Sequence, residues 1–463
     1  MWREALYEKS YAEFLELSRV PRGTNVPEKI RGYILEKAAK AGLEAIADSA
    51  GNILVRKPGK GGPVILQSHM DMVCERRLES THDFDKDPLV LIEKEGWIRA
   101  KDTSLGADDG AGMAVMMALM KLDYLPALEL LFTSEEETTM SGAEGFDKGL
   151  LSGNFMINLD SDHEDEMIIG SAGGVQIVNR FEPKEEMENF NGIHCTLKVG
   201  DLIGGHSGED IDRNRKNALK VLAERLSCCS KLTELRIMSI QGGEASNSIM
   251  RSAEAEIIVK DPTLLNMGGD TLPDEERPKE ELVLHTGIPG PCLSREDSSR
   301  VVQFLNQLPY GVIDRSRELD GQVSCSTNPG IIRWEDGGLS VVSELRGDDE
   351  VRLAALEKRL HELAKQFQWE HTAQYPYPGW KPEKDSVMVK KAAGAYEKIY
   401  GKLPRVKAVH AGLECGNFKK ALPKLQIVSL GPTIMDYHSP DERMDLGSFE
   451  RHCNVMWELL TTL

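Results

Sequence analysis

Val64-Ile65-Leu66-Gln67-Ser68-His69-Met70-Asp71 is the stretch from which the fold of this chain is read. Its three adjacent apolar residues form the short run that a strand buried on both faces shows. The run then gives way at once to polar residues. Two further runs repeat the arrangement. Leu128 to Phe132 is followed by Thr133-Ser134-Glu135, and Phe155 to Leu159 by Asp160-Ser161-Asp162. A helix is expected from about Ala111 to Lys121, between the first two runs. Strands alternating with helices predict an α/β domain whose sheet is covered on both faces. In such sheets, sites collect beyond the carboxyl ends of the strands.

On the N-terminal side, Tyr7, Tyr11, Phe14 and Leu15 recur at helical spacing, as do Ile30, Tyr33, Ile34 and Ala38. Leu43 to Arg56 reads as a hairpin turning at Ala50-Gly51-Asn52. On the C-terminal side, the character changes after Gly173-Gly174, and Glu182 to Glu188 is rich in charge. Strands are expected at Cys195 to Val199, Leu232 to Gln241 and Ala253 to Val259, and a helix from about Arg213 to Leu226. An acidic loop holding Pro273 and Pro278 precedes Glu281, and Leu353, Leu356, Leu360, Leu363 and Phe367 mark a further helix. Tyr375-Pro376-Tyr377-Pro378-Gly379-Trp380-Lys381-Pro382 reads as a linker. These shifts divide the chain into a first domain at residues 1–186, an inserted domain at 187–382, and a return to the first domain at 383–463.

A length of 463 residues favours two domains over one core. The formal charge of -19 disfavours nucleic acid and anionic membranes as partners, since both would repel the surface. No apolar run is long enough to cross a bilayer, and Met1 to Ser10 lacks the order of a signal peptide. The eight cysteines form no C-x-x-C pair, so neither a thiolate metal site nor a disulfide framework is expected. Reduced thiols fit a cytoplasmic location.

Five places carry candidate chemistry. In His69-Met70-Asp71 the imidazole can ligate a metal while the carboxylate accepts the other ring N–H; an ordinary surface pair is the plainer reading. In Ser104 to Gly112, the small residues around Asp108-Asp109 allow close approach to an ion, or an Asp caps the helix that follows. In Glu135-Glu136-Glu137, a cation would relieve the repulsion of adjacent carboxylates, or the triplet is a solvated turn. Asp160 at a strand end and His438 in the loop Gly431 to Glu442 complete the set, each open to a plain loop role. Together, imidazoles and carboxylates suit zinc, manganese or cobalt better than calcium. Two such ions and a free Glu can hydrolyse an amide.

On its motifs the chain resembles the co-catalytic di-zinc peptidases, the family of carnosinases, peptidase T, carboxypeptidase G and succinyl-diaminopimelate desuccinylase. The motifs are Gln67 to Val73, Leu105 to Gly112, Glu136 to Ala143, Gly204-Gly205-His206-Ser207-Gly208, His410 to Gly416 and Gly431 to Glu442. The last two point to the Xaa-His dipeptidase branch. The resemblance implies a catalytic domain with a mixed sheet flanked by helices and an inserted α+β lid. It implies two divalent ions, zinc ahead of cobalt or manganese, a small peptide substrate and a homodimer. His69, Asp108 and Asp160 would hold one ion, and Asp108, Glu137 and His438 the other. Asp71 would orient His69, and Glu136 would be the general base. Reading back from Met140-Ser141-Gly142-Ala143 selects Glu136 and Glu137 from the triplet. The resemblance also implies a cis peptide after Asp108, an oxyanion role for His206, and a substrate-carboxylate role for Asn247.

One departure bears on the substrate. The family's carboxylate-binding Arg belongs to a stretch that here reads Leu339 to Arg346, with Ser343 at the aligned position and Arg346 three residues on. Arg346 is the candidate anchor. The departure keeps a second substrate class open, in which an amidohydrolase or deacylase acts on N-acyl amino acids with the same metals. A catalytically silent metal-binding protein is the reading from another class, against which a complete ligand set with a free Glu136 argues.

Overall fold

The computed structural model describes residues 2–24, 27–123, 126–265 and 278–463. Pro273 of the acidic loop lies outside them. The chain forms two compact units. One comprises Met1–Gly170, Trp380–Ala408 and Leu413–Leu463, the other Ser171–Gly379 with Val409–Gly412.

The first unit is built on an eight-stranded sheet. Its order is Glu44–Ala47, Ile53–Lys57, Pro126–Thr133, Lys60–His69, Phe155–Asn158, Gln426–Ser429, Glu166–Ser171 and Arg405–Val409. The strand Lys60–His69 runs parallel to both neighbours. Ile53–Lys57 pairs with Pro126–Thr133 in the antiparallel sense, so the sheet is mixed. Leu66, Leu130 and Ile157 are fully buried, each contributing about 1.5–3 kcal/mol of transfer energy. The register pairs His69 with Thr133 and Gln67 with Asn158. The three runs therefore end together, and the polar residues beyond them emerge at one edge. The helix Ala107–Met120 is apolar on all sides and buried from Asp109 onwards, the mark of a helix enclosed by its domain. The helices Trp2–Leu17 and Pro27–Lys40 and the hairpin turning at residues 48–52 lie where their sequence patterns place them.

The second unit carries a nine-stranded sheet. From one edge it runs Lys279–Leu284, Ile193–Gly200, Ala253–Val259, Leu235–Gly242, Val323–Glu335, Gly338–Gly347, Gly173–Phe181 and Glu370–Tyr377, with Gly311–Arg315 also paired to Val323–Glu335. The helices Ala218–Leu232, Arg295–Gln307 and Glu350–Phe367 pack on the face that bears Cys195, Leu197, Ile237 and Ile257 in one part and Val175 and Ile177 in another. This is the expected sheet with helices on one face.

Three local expectations change. The first boundary falls at 170/171 rather than 186/187, because Gly173–Phe181 already pairs with Gly338–Gly347 and Glu370–Tyr377. The helix expected from Arg213 starts at Ala218. Asn214 sits at φ 54, outside helical geometry, and the Asn217 side chain caps the helix by accepting from the Leu219 N–H. The expected linker is a strand as far as Tyr377. That strand is the sheet's edge, where Pro376 leaves no neighbour without a donor. Among the described residues, no helix is long and apolar enough to cross a membrane.

Candidate metal centre

Each candidate side chain of the first unit stands just beyond a strand or in a loop at the common edge. His69 ends its strand and is 1 % exposed. Its Nε2 lies 3.0 Å from Asp108 Oδ1 and 3.5 Å from Asp160 Oδ1. The other oxygen of Asp108, Oδ2, lies 3.2 Å from His438 Nε2, which is also 2.9 Å from Glu137 Oε2. Two ligand groups therefore meet at one carboxylate: His69, Asp108 and Asp160 on one side, and Asp108, Glu137 and His438 on the other. Within each group one donor atom per residue lies within 4.8 Å of the others.

The loop of Asp108 and Asp109 resolves the two readings of that segment by dividing them. Asp108 and Asp109 have non-helical dihedral angles, and the Asp109 carboxylate accepts from the Gly112 N–H at 3.0 Å. Asp109 thus caps the regular part of the helix, while Asp108 turns to the two histidines. A side chain at residue 112 would meet the Asp109 carboxylate at 2.4 Å, so glycine is required there. The Asp108–Asp109 peptide is cis, as the resemblance implies.

The Glu triplet also divides. Glu135 is exposed at φ 56 and accepts the Ser141 hydroxyl. Glu136 and Glu137 group with His69. Asp71 lies beside His69, as expected, and has a second set of partners. The ring Nδ1 of His69 is 3.2 Å from the main-chain carbonyl of Asp71 and 3.7 Å from its carboxylate. The Asp71 carboxylate accepts the Glu136 N–H at 3.1 Å, the Glu137 N–H at 3.4 Å and the Thr24 hydroxyl at 3.1 Å. It fixes the turn that presents the two glutamates.

The protonation equilibria carry the mark of crowded negative charge. Burial, then Asp160, Glu137 and Asp108, pushes the Glu136 carboxyl well above its ordinary value against the pull of His69. Burial, with Asp108 and Asp109 nearby, raises Asp160 likewise. Hydrogen bonds to Asp108 and Glu137 push His438 up to about 10. Burial pushes Asp108 up as well, but the two imidazoles outweigh it and hold the carboxyl far below the usual range. Four carboxylates thus share two imidazoles. Glu137 Oε1 is buried with no hydrogen-bond partner, and a buried acceptor without a partner is costly. Divalent cations between these groups would satisfy both, and the O/N donor set suits zinc, cobalt or manganese.

In the second unit, Gly205–His206 pairs with Ser248–Ile249, and the Ser207 N–H donates to the Asn247 carbonyl at 2.8 Å, so His206 and Asn247 come together. The His206 Nδ1 accepts the Gly208 and Glu209 N–H groups, both at 3.3 Å. Burial and then Arg346 lower its pKa. The ring is therefore neutral with its proton on Nε2, a donor by construction. Arg346 is buried and donates to Tyr377 Oη at 2.8 Å and to Ser207 Oγ at 3.4 Å. Ser343 is wholly buried, whereas Arg346 joins the loop of His206.

Residues 65–462 match the model of Peptidase family M20/M25/M40. The chain belongs to that family. The cytosol non-specific dipeptidase of Escherichia coli K12 is 33% identical over 466 residues, 96% of this M20/M25/M40 chain and 96% of that relative. The solved structure of aminoacylhistidine dipeptidase from Vibrio alginolyticus is 31% identical with a TM-score of 0.89, covering 98% of this chain and 96% of that one. The aminopeptidase PepT structure from Bacillus cereus shares the fold, with a TM-score of 0.58 at 16% identity, covering 98% of each chain.

Three residues of this M20/M25/M40 chain that the sequence reading assigned no role brace the centre. Glu442 is 2 % exposed, and its carboxylate accepts the N–H groups of Leu105, Gly106, Ala107 and Asp108 at 2.7, 2.8, 2.7 and 3.4 Å. Arg22, buried, donates to the carbonyls of Met70 and Asp71 at 3.2 and 2.9 Å and to that of Gly106. It ties the loop after His69 to the loop before Asp108. Glu414 accepts from Gln67 and Thr133, each at 2.6 Å, beneath the strand ends. Glu442 and Glu414 fall inside motifs that the sequence marks, but nothing local in the sequence says which loop each one holds.

Proposed function

We propose that this chain is a metal-dependent dipeptidase that hydrolyses the peptide bond of free dipeptides, of Xaa-His type or broader. The observation that carries the proposal is the Asp108 carboxylate, whose two oxygens face two separate groups of histidine and carboxylate. His69, Asp108 and Asp160 would hold one ion, and Asp108, Glu137 and His438 the second. Two bound divalent ions, zinc before cobalt or manganese, polarise the scissile carbonyl and lower the pKa of the attacking water.

Glu136 is the general base in this reading. Its carboxylate takes a proton from the attacking water and delivers it to the nitrogen of the leaving amine. Asp71 holds Glu136 in place through the backbone amides of the turn. His206, with its proton on Nε2, donates to the oxyanion. Asn247 and Arg346 receive the substrate carboxylate. Two relatives matched over nearly their whole lengths are named as dipeptidases, which favours peptides over N-acyl amino acids. A cytoplasmic location is supported by eight free cysteines and by the name of the Escherichia coli relative. The homodimer rests on the resemblance alone, and sedimentation of the pure protein tests it.

The decisive assay compares free dipeptides with N-acetylated amino acids, using metal-stripped enzyme restored with zinc, cobalt or manganese. Turnover of dipeptides on restoration is the expected result. Turnover of the acetylated compounds alone would move the reading to the deacylase class.

A further inference from the structure

The outer face of the second unit's sheet, away from its helices, carries a cluster that the proposed chemistry does not use. In Ile193–Gly200, Cys195, Leu197 and Val199 point into the core, so His194, Thr196 and Lys198 point outward. Thr196 is the cross-strand partner of Glu256, which puts Glu256 on the same face. On the other side, the edge strand Lys279–Leu284 pairs Leu284 with Cys195, and the His285 N–H donates to the His194 carbonyl at 3.0 Å. His285 therefore sits opposite His194. Two imidazoles and a carboxylate from three adjacent strands converge on one spot.

The imidazoles lie 4.3 Å apart by ring centroid, tilted by 31°. His194 Nε2 contacts Glu256 Oε2, and His285 Nε2 lies 4.0 Å from the same oxygen. The three donor atoms are within 4.8 Å of one another. Tetrahedral zinc with ligands at about 2.0–2.2 Å spaces its donors roughly 3.3–3.6 Å apart. From separations of at most 4.8 Å, shifts of about an ångström bring the donors to that spacing. Thr196 Oγ1 donates to Glu256 Oε1 at 2.7 Å and so braces the carboxylate; it also stands 2.5 Å from His285 Nε2, a contact that gives way when that nitrogen takes the metal. Such bracing of ligands by their neighbours raises metal affinity. The three side chains are 23%, 30% and 38% exposed, which leaves the fourth position to water.

We propose that His194, His285 and Glu256 form a mononuclear site for a divalent transition-metal ion of the zinc class, separate in residues from the proposed bridged pair. Imidazole nitrogens with a single carboxylate select such an ion over calcium or magnesium. A bound ion would fasten the strand Lys279–Leu284, which among the described residues has a strand neighbour on one side only, to the two strands next in the sheet. It acts as a clamp on a sheet edge, with no part in hydrolysis.

The test uses the full-length protein equilibrated with zinc alone, buffered at micromolar free concentration, and compares it with the His194→Ala/His285→Ala double variant and with Glu256→Gln. Bound zinc per chain is measured by elemental analysis. The wild type is expected to hold one equivalent more than the double variant, and Glu256→Gln to bind that extra equivalent about tenfold more weakly, the size expected on losing a ligand charge. Zinc should raise the melting temperature of the wild type more than that of the double variant, while dipeptide turnover stays equal in all three. Equal zinc content in wild type and double variant overturns the proposal. Because the measure is a difference between proteins with the same His69, Asp108, Glu137, Asp160 and His438, it is read independently of whether the bridged pair is correctly assigned.

Discussion

Replacing Glu442 by Ala removes the side chain that receives the amides of Leu105, Gly106 and Ala107 at 2.7–2.8 Å and that of Asp108 at 3.4 Å. A buried donor left without its partner costs about 1–3 kcal/mol, so losing the three short bonds costs roughly 3–9 kcal/mol. Burial pushes the Glu442 carboxyl above its ordinary value even with these amides pulling it down. Removing the buried charge therefore recovers part of that cost, and a net loss of about 3–5 kcal/mol is expected. That is a large share of the roughly 5–15 kcal/mol that holds a domain together. Urea unfolding of metal-stripped protein, followed by circular dichroism, reads the loss directly. Because the same loop carries Asp108, zinc content after dialysis should fall as well. Glu442→Gln, whose amide oxygen still accepts, should lie between the two. A Glu442→Ala protein within about 0.5 kcal/mol of wild type, the range of an unremarkable surface substitution, and with undiminished zinc would refute the reasoning. It would shift the bracing of that loop to Arg22, Ser68 and Ser104.

Glu136→Gln should lower dipeptide turnover by about 10²–10⁴-fold with both ions retained, as measured by elemental analysis beside initial rates. In the same assay Glu137→Gln should lose metal, and Glu135→Gln, whose carboxylate faces Ser141, should change neither; the reverse pattern for Glu135 and Glu136 would shift the assignment by one residue. His206→Ala should reduce kcat by about 10²-fold or more, the size of a lost oxyanion donor, with metal content unchanged; loss of metal would make His206 a ligand. His452 is buried, and burial holds its pKa down to about 4. The unfolded chain, titrating near 6.5, takes up the proton first as pH falls. Stability from this group is therefore full above about 6.5 and is lost on acidification to about 4, by roughly 3 kcal/mol. Urea unfolding of metal-stripped wild type and His452→Leu at pH 7 and pH 5 should show a smaller acid loss in the variant.

The candidate ligands were legible where a short-range pattern carried them. His69, Asp160 and the Glu triplet each follow an apolar run, and the runs end together because the strands are in register. The Asp108 segment supported two readings because it serves both, one aspartate capping a helix while its neighbour enters the site. The supports were not legible. Arg22 reaches carbonyls of two separate loops, and Glu442 reaches amides more than three hundred residues earlier in the chain. Such bonds between a side chain and a distant main chain leave no periodicity behind. The strand through Pro376 was misread for a related reason, since proline is excluded from a sheet's interior and tolerated at its edge, and strand order is a property of the fold.

The strand Gln426–Ser429 lies between Phe155–Asn158 and Glu166–Ser171. During synthesis those two strands leave the ribosome early, while the one that joins them follows roughly 10–50 s later at about 5–20 residues per second. Through that interval the nascent sheet has a slot with an unpaired edge on either side, the kind of edge that recruits foreign strands. The second unit, Ser171–Gly379 with Val409–Gly412, lies wholly upstream of this strand. His438 and Glu442 emerge later still. A chain cut short before Gln426 has neither a closed sheet nor the Glu442 carboxylate that receives the amides before Asp108, so the candidate site is assembled only by the last stretch to be made.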